Sequence, residues 1–283
     1  MISVSSMAFG HDAKIGSKAF SKLARRFRSC GISGIEMVPP LQWPGWLDAN
    51  PFEAGLVRSM LADDGMCCPA LQSILFGVEG ACLFAGGDQG RAKLADHILI
   101  VAELAAALGA PVMVLGSPQL RQRGGILPAQ ALQIATAFLH TLAERLSGVG
   151  VSLCIEPNAR AYGCDFITTL AEGESLVRLV GHPNFGLHFD TGGSLMEHAV
   201  PAEEAAGCTL AFRHVHVSEP HLIPFDPRSA VSHLDVRHSL ERLHYGGWVS
   251  LEMRRADLDT VLSIAQSFAA IYGTPCPAAN QES

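Results

Sequence analysis

The sequence predicts one α/β domain folded as a (β/α)₈ TIM barrel around a parallel eight-stranded core. Eight short apolar runs alternate with about eight longer helical patterns over 283 residues, or about 35 residues per unit. The short runs are apolar almost throughout, as expected for parallel strands that helices cover. Composition does not shift sharply along the chain, so all units belong to one domain.

The predicted strands are rich in Val, Ile, Leu and Phe. They cover 2–9, 34–38, 70–76, 111–117, 151–157, 185–190, 213–218 and 248–253. The predicted helices lie between them and carry apolar residues at helical spacing. They cover 16–30, 51–65, 88–109, 128–148, 168–181, 201–208, 230–244 and 257–272, and the pattern over 201–208 is the weakest.

Three polar residues are predicted helix N-caps, because each stands at the start of an apolar-periodic stretch. They are Asp88, Thr168 and Asp257. The barrel is assigned to 1–272. The remaining segment 273–283, GTPCPAANQES, is expected to be a flexible C-terminal tail.

A doubly wound open sheet is the alternative fold. Such sheets usually carry a glycine-rich turn after the first strand, whereas here GHDAKIG follows it, without G-x-G-x-x-G spacing. The sequence contains no P-loop motif either. Both observations favour the closed barrel.

Composition and charge exclude several functional classes. Lys and Arg number 20 against 27 Asp and Glu, a net charge of −7, so no nucleic-acid partner is expected. The longest apolar stretch, 97–116, is interrupted by Glu103 and broken by Gly109 and Pro111, so no membrane span is expected. The N-terminal MISVSSMAF lacks a basic signal-peptide region, and the eight cysteines form no C-x-x-C pair. We therefore expect reduced thiols and a cytoplasmic protein.

Ligand-capable side chains end four consecutive predicted strands, the fifth to the eighth. They are Glu156, Asp190, His216 and Glu252, separated by 34, 26 and 36 residues. The carboxyl ends of barrel strands meet at one rim, so these side chains are expected to lie together. Three carboxylates beside an imidazole are costly to bury unless a cation neutralises them. The pattern therefore predicts a metal site with all four residues as ligands.

The predicted donor set is rich in oxygen. It favours one divalent ion in octahedral geometry, Mn²⁺ first with Mg²⁺ or Co²⁺ as alternatives, over structural zinc. A sugar or hydroxyketone would fill the remaining positions, and the ion would stabilise the enediolate formed when a proton leaves the carbon next to the carbonyl. Glu156 and Glu252 come from strands three steps apart and are the predicted catalytic acid/base pair.

Further polar residues are predicted to face the same mouth and bind substrate. They are His188, Asn158, Arg254 and Glu36. Arg254 would grip a phosphate, a carboxylate or a sugar hydroxyl. For Glu36 a structural ion pair is the open alternative. His188 and His214 each precede a predicted ligand by two residues, so they face inward one layer deeper, and a hydrogen-bonded core role is expected for His214.

The loop after the fourth strand, SPQLRQRGG, adds two arginines. Arg121 and Arg123 are either anion-binding residues or members of a solvated loop. The sequence favours neither role.

The motifs CIEPN, HFDTGG, HVHVSEP and GGWVSLEM resemble those of the sugar phosphate isomerase/epimerase family, within the xylose-isomerase-like (β/α)₈ barrel superfamily. This superfamily includes ketose 3-epimerases, hydroxypyruvate isomerase, inosose isomerases and dehydratases, and 3-dehydroshikimate dehydratase. The resemblance covers nearly the whole chain. It implies metal binding by Glu156, Asp190, His216 and Glu252, and in the ketose 3-epimerases the first and last of these glutamates also exchange the proton.

The chain departs from the ketose 3-epimerases at three substrate-binding positions. Tyr162 stands where they have a Glu, six residues after the first ligand. Gly193 replaces a His three residues after the metal-binding Asp, and Leu222 replaces an Arg six residues after the metal-binding His. A free ketohexose is therefore not the expected substrate.

The expected function is a metal-dependent isomerase or epimerase of a sugar, sugar phosphate or cyclitol, with proton transfer between two glutamates through a metal-stabilised enediolate. A metal-dependent lyase or dehydratase, acting by β-elimination on an oxidised sugar or cyclitol, is the first alternative. A non-catalytic sugar-binding barrel is the second, and the acidic balance disfavours a related phosphodiesterase acting on nucleic acid. Barrel enzymes of this kind often dimerise, which leaves a homodimer as one assembly compatible with the sequence.

Overall fold

The computed structural model describes residues 1–43 and 45–273. Its eight strands are β1 (Ile2–Ser5), β2 (Gly34–Glu36), β3 (Ala70–Leu71), β4 (Val112–Leu115), β5 (Ser152–Ile155), β6 (Phe185–Asp190), β7 (Phe212–Val217) and β8 (Val249–Leu251). They are hydrogen-bonded in parallel in the order β2-β1-β8-β7-β6-β5-β4-β3. The predicted tail lies outside the described residues, apart from Gly273.

The two ends of this strand order meet and nearly close the barrel. The Ile35 N–H donates to the Cys67 carbonyl at 2.8 Å, and the Gln72 N–H donates to the Met37 carbonyl at 2.9 Å. These bonds join the segments around β2 and β3 in parallel. The predicted single (β/α)₈ barrel is thereby confirmed.

Helices surround the strands in the predicted alternation. They are α1 (Lys18–Ser29), α2 (Pro39–Gln42), α3 (Pro51–Asp63), α4 (Gly87–Leu108), α5 (Pro128–Ser147), α6 (Leu170–Val180), α7 (Thr191–Met196), α8 (Pro201–Gly207), α9 (His233–Arg242) and α10 (Leu258–Tyr272). The weak pattern over 201–208 is indeed a helix. The short helices α2 and α7 were not predicted, because one turn of helix carries too few residues for a periodic pattern.

Most strands end one or two residues earlier than predicted, and two of them end four or five residues early. The strand over 2–9 ends at Ser5, where the Ser5 hydroxyl accepts a hydrogen bond from the Met7 N–H and the chain enters a 3₁₀ turn. The strand over 70–76 keeps only its first two residues, and Ser73 beyond it adopts a positive φ of 56°. In both segments apolar residues continue past the strand, so hydrophobicity does not reveal the bend.

The predicted helix caps have mixed outcomes. Asp257 caps α10 as expected, accepting a hydrogen bond from the Thr260 N–H. Thr168 is one residue early, since Thr169 and Glu172 form the reciprocal capping box of α6. Asp88 is not a cap: it lies in the first turn of α4, which begins after Gly86.

The interior of the barrel has an apolar side and a polar side. A small buried cluster formed by Ala70, Val112, Val114 and Cys154 occupies the side of β3 to β5. On β6 and β7 the register pairs His188 with His214 and Asp190 with His216, which makes two polar layers. The polar side therefore continues to the rim formed by the C-terminal ends of the strands. Among the described residues, no helix has both the length and the apolar character that a membrane crossing requires.

Candidate functional site

The four predicted ligands meet at the rim, and we call Glu156, Asp190, His216 and Glu252 the rim set. Glu156 and Glu252 directly follow β5 and β8, and Asp190 ends β6. The His216 Nδ1 lies 3.6 Å from Glu156 Oε1 and 3.2 Å from Glu252 Oε2. Ligand atoms of Asp190, His216 and Glu252 all lie within 4.8 Å of one another. The strand ends thus bring the predicted set together, as parallel strands of one barrel should.

Backbone and hydroxyl groups fix the Asp190 carboxylate. Its Oδ1 accepts a hydrogen bond from the Ser218 hydroxyl at 2.6 Å, and its Oδ2 accepts one from the Gly193 N–H at 2.8 Å. Burial, followed by the nearby Glu252 and Glu156 carboxylates, raises the pKa of Asp190 to about 7. Burial also raises the pKa of Glu252. A bound cation would remove the repulsion that contributes to these shifts.

Glu36 holds the far side of the His216 ring. The His216 Nε2 lies 2.8 Å from Glu36 Oε1, and the His214 Nε2 lies 3.3 Å from Glu36 Oε2. Burial alone would raise the pKa of Glu36, but the two imidazoles outweigh it and hold that pKa well below 4.5. Of the two roles that the sequence left open for Glu36, the geometry favours the ion pair, because this carboxylate is fully buried against imidazoles. A substrate contact stays a prediction.

This ion pair aims the other His216 nitrogen at the rim. When Nε2–H donates to Glu36, Nδ1 points to the Glu156 and Glu252 carboxylates. Burial would lower the pKa of His216, but Glu36 and Glu252 outweigh it and raise that pKa well above 6.5, so a bound cation would take the place of the Nδ1 proton. Nδ1 is buried and has no hydrogen-bond partner among the described residues. An unpaired imidazole nitrogen facing carboxylate oxygens is a donor set that fits a divalent cation.

His188 lies in the layer beneath the rim. Its ring is fully buried, and its centroid is 4.2 Å from that of His216 and 5.9 Å from that of His214. Burial, followed by the positive character of these two rings, lowers the pKa of His188 well below 6.5. A substrate contact through this ring also stays a prediction.

Asn158 and Arg254 lie above the rim set. Asn158 Oδ1 accepts a hydrogen bond from Arg121 at 2.6 Å. Arg254 is exposed at the mouth, with its backbone N–H donating to the Leu222 carbonyl at 2.8 Å. The Arg254 guanidinium forms no ion pair with any described residue, so it is free to meet an anionic or hydroxylated ligand.

Arg121 has a role that the sequence did not reveal. It is 3% exposed, and its guanidinium donates to the carbonyls of Gly116 at 2.9 Å, Phe166 at 2.8 Å and Glu156 at 2.6 Å. It therefore holds the backbone of Glu156 and does not bind a solvent-borne anion. Arg123 likewise donates to the Asp165 carbonyl at 3.1 Å. Loop arginines give no sequence signal that separates these roles.

The three positions that depart from the ketose 3-epimerases also surround the rim. Tyr162 is half-buried, and burial followed by the Asp190 carboxylate raises its pKa to about 12. Its ring meets His221 edge to face with centroids 6.2 Å apart. Gly193 binds Asp190 through its N–H, and Leu222 supports Arg254 through its carbonyl. The contacts of Gly193 and Leu222 are made by backbone groups and do not depend on the replaced side chains.

Comparison with known proteins identifies the barrel type. Similar solved structures include D-psicose 3-epimerase in the presence of D-fructose (17% identity, TM-score 0.75, 96% of this chain and 99% of that chain covered). The 3-keto-D-glucoside 4-epimerase from E. coli (16%, 0.74, 95% and 98%) and the IOLI protein with a bound zinc atom (13%, 0.72, 96% and 97%) are also similar. At these identities the likeness concerns the fold.

No curated protein sequence matches the chain. The family described as the xylose isomerase-like TIM barrel matches residues 24–272, which is most of the sequence. The alternation of strands and helices and the order of the sheet agree with that match. The chain belongs to the xylose isomerase-like TIM barrel family.

Proposed function

We propose that the protein is a divalent-metal-dependent isomerase or epimerase of a sugar, sugar phosphate or cyclitol. The observation that carries the proposal is the approach of two carboxylates, Glu156 and Glu252, to the same unpaired nitrogen of His216. These glutamates follow β5 and β8, so they reach that nitrogen from different strands of the barrel. The sugar epimerases among the structurally similar proteins support the proposal.

The rim set would hold the ion, with Mn²⁺ as the first candidate and Mg²⁺ or Co²⁺ as alternatives. When bound, such an ion polarises a substrate carbonyl and stabilises negative charge on its oxygen. Ser218 and the Gly193 N–H orient Asp190 for this role, and Glu36 orients His216. Hydrogen bonds to metal ligands, such as these to Asp190 and His216, fix the orientation of the ligands.

The two glutamates would move the proton. One carboxylate takes the proton from the carbon next to the carbonyl, and the other returns a proton to the carbon framework. Burial raises the pKa of Glu252, which favours this residue for the proton-donating role. Arg254 and Asn158 at the mouth are the proposed substrate-orienting residues, and roles for His188 and Glu36 in substrate binding are kept as predictions.

The test is hydrogen exchange into the substrate in D₂O. A panel of D-fructose, a 3-keto-glucoside, a sugar phosphate and an inosose is incubated with metal-loaded protein and analysed by NMR. We expect deuterium incorporation into one member, reduced about 10²–10⁴-fold in Glu156→Gln and in Glu252→Gln. Glu241→Gln, an exposed change on α9, is the control and should retain full exchange. Exchange that persists in both rim variants would overturn the acid/base assignment.

A lyase is the second candidate, and Tyr162 is the observation that favours it. Its half-buried phenol lies close enough to the Asp190 and Glu252 carboxylates for their charges to act on it, and like any tyrosine phenol it is protonated at neutral pH. A protonated phenol can give its proton to a departing hydroxyl, which an elimination needs and an epimerisation does not. Mass spectrometry of the products decides: loss of water identifies a lyase, and an unchanged mass identifies an isomerase.

A further inference from the structure

One imidazole beneath the rim has no partner. His188 is fully buried, and neither of its ring nitrogens has a hydrogen-bond partner among the described residues. A neutral imidazole offers one donor and one acceptor, and leaving both unpaired in the interior opposes folding. Buried polar groups are nearly always partnered, so this ring needs an explanation.

The neighbours of His188 indicate what could partner its ring. One of its nitrogens lies within 4.8 Å of ligand atoms on both Glu156 and His216, which belong to the rim set. The adjacent His214 is already engaged, with its Nε2 3.1 Å from the Ser250 hydroxyl. His188 thus has an unpaired nitrogen close to Glu156 and His216, and the Nδ1 of His216 is unpaired as well.

We propose that His188 is an additional protein ligand of the divalent ion held by the rim set, contributing a second imidazole nitrogen from the layer below. This inference rests on the metal site of the proposed function. Coordination would partner a buried nitrogen that the protein itself leaves unpaired.

Ligation by His188 would change which divalent ion the site prefers. Carboxylates and water suit Mg²⁺ and Mn²⁺, whereas imidazole suits Zn²⁺ and Co²⁺. A site with two imidazoles should therefore bind Zn²⁺ and Co²⁺ much more tightly than Mg²⁺. Replacing His188 should weaken the binding of Zn²⁺ and Co²⁺ more than the binding of Mg²⁺, because the site would lose one imidazole ligand.

The experiment counts imidazoles on the ion. Full-length protein is stripped with a chelator, loaded with Zn²⁺ and measured by X-ray absorption at the zinc edge. We expect two imidazoles in the wild type and one in both His188→Leu and His188→Gln. His214→Gln is the matched control, because His214 is equally buried in the same layer but is not a proposed ligand. It should keep two imidazoles.

Calorimetric titration gives a second readout. We expect His188→Leu to weaken Zn²⁺ binding by at least about 10-fold and to leave Mg²⁺ binding little changed. Metal-free His188→Leu should melt no lower than the metal-free wild type, since the change removes an unpaired polar group. A purely structural His188 would instead lower that melting temperature.

The outcomes separate this inference from the proposed function. One imidazole in the wild type, or two in both His188 variants, would overturn the role of His188 and leave the four-residue site standing. A wild-type protein that binds no divalent ion would remove the cofactor of the proposed function. Two imidazoles in the wild type, reduced to one only when His188 is replaced, would establish the ligand.

Discussion

At the scale of single residues, the site depends on side chains that hold other side chains. Glu36 bonds the ring of His216, Ser218 bonds the carboxylate of Asp190, and Arg121 bonds the backbone of Glu156. Such partners orient ligands and tune their basicity, and they matter nearly as much as the ligands themselves. All three contacts are buried or partly buried, so the loss of any one leaves an unpaired polar group.

Glu36→Gln should weaken Mn²⁺ and Zn²⁺ binding about 10–100-fold, because the carboxylate that orients His216 is lost. Isothermal titration of the metal-free protein measures this. Glu219→Gln is the matched control, since Glu219 is also buried and its Oε1 lies 2.8 Å from His233 Nε2, outside the rim set. Equal losses in the two variants would contradict a specific role for Glu36.

Gly116→Ala should impair the site while the barrel stays folded. A Cβ at Gly116 would overlap Glu156 Oε2, so the carboxylate must move. A displacement of about 1 Å at a reacting group can cost about 10²-fold in rate, which the D₂O exchange assay would detect. Gly55→Ala in α3 is the control, because nothing lies within 4 Å of its Cβ. Unaltered exchange in Gly116→Ala would show that Glu156 tolerates the shift.

At the scale of elements, the junctions between strands and helices carry the chemistry. Asp190 is the last residue of β6 and also the N-cap of α7, so one carboxylate serves the helix start and the rim. Glu156 and Glu252 lie one residue beyond their strands, with their N–H groups still bonded to the neighbouring strands at 3.1 and 3.0 Å. Ligands at such junctions are fixed more firmly than ligands in free loops.

The N-cap of α10 predicts a pH dependence of stability. The Thr260 hydroxyl and N–H donate to the Asp257 carboxylate and lower its pKa below 3.8. Because the folded pKa is depressed, this contribution is present above the unfolded value and is lost as pH falls through the folded pKa. The melting temperature of the wild type should exceed that of Asp257→Ala at pH 7. This difference in melting temperature should shrink below about pH 4.

Asp259→Ala provides the control for this series. Asp259 lies in the same first turn of α10, but its carboxylate accepts no hydrogen bond from the described residues. Asp259→Ala should lower the melting temperature at pH 7 less than Asp257→Ala does. Its difference from the wild type should not shrink comparably at acid pH. A gap between wild type and Asp257→Ala that stays constant from pH 7 to pH 2 would show that the cap does not titrate with folding.

At the scale of the whole molecule, the rim set joins the four consecutive strands from β5 to β8. An ion bound there would tie half of the barrel together in the folded state alone, because the unfolded chain cannot gather these side chains. Part of the net charge of −7 is also concentrated at this rim. A bound cation would therefore neutralise charge where burial makes it most costly.

Divalent ions should raise the melting temperature. Binding at 100 times the dissociation constant adds about 2.7 kcal/mol to the free energy of unfolding. For a chain of this size that corresponds to a rise of about 5–10 °C, reversed by a chelator. Differential scanning fluorimetry with Mn²⁺, Co²⁺ and Zn²⁺ measures it. Glu252→Gln should show a much smaller rise, and an equal rise in that variant would place the ion elsewhere.

The sequence by itself determined the fold class and the composition of the rim set. Strand and helix periodicity are local properties, and the polar residues that end β5 to β8 occur once per unit, so spacing alone was enough to group them. The same local reasoning erred at β3, where an apolar run continues past the strand, and at Asp88, where Gly86 precedes the helix.

Only the tertiary structure decided how these residues are held. Glu36 and His216 are 180 positions apart in the chain, and no spacing rule joins them. Arg121 could equally have faced solvent, and the unpaired nitrogens of His188 are visible only when every neighbour is placed. Hydrogen-bond pairing and burial depend on contacts between distant segments, whereas the pattern of a sequence records only what each segment does alone.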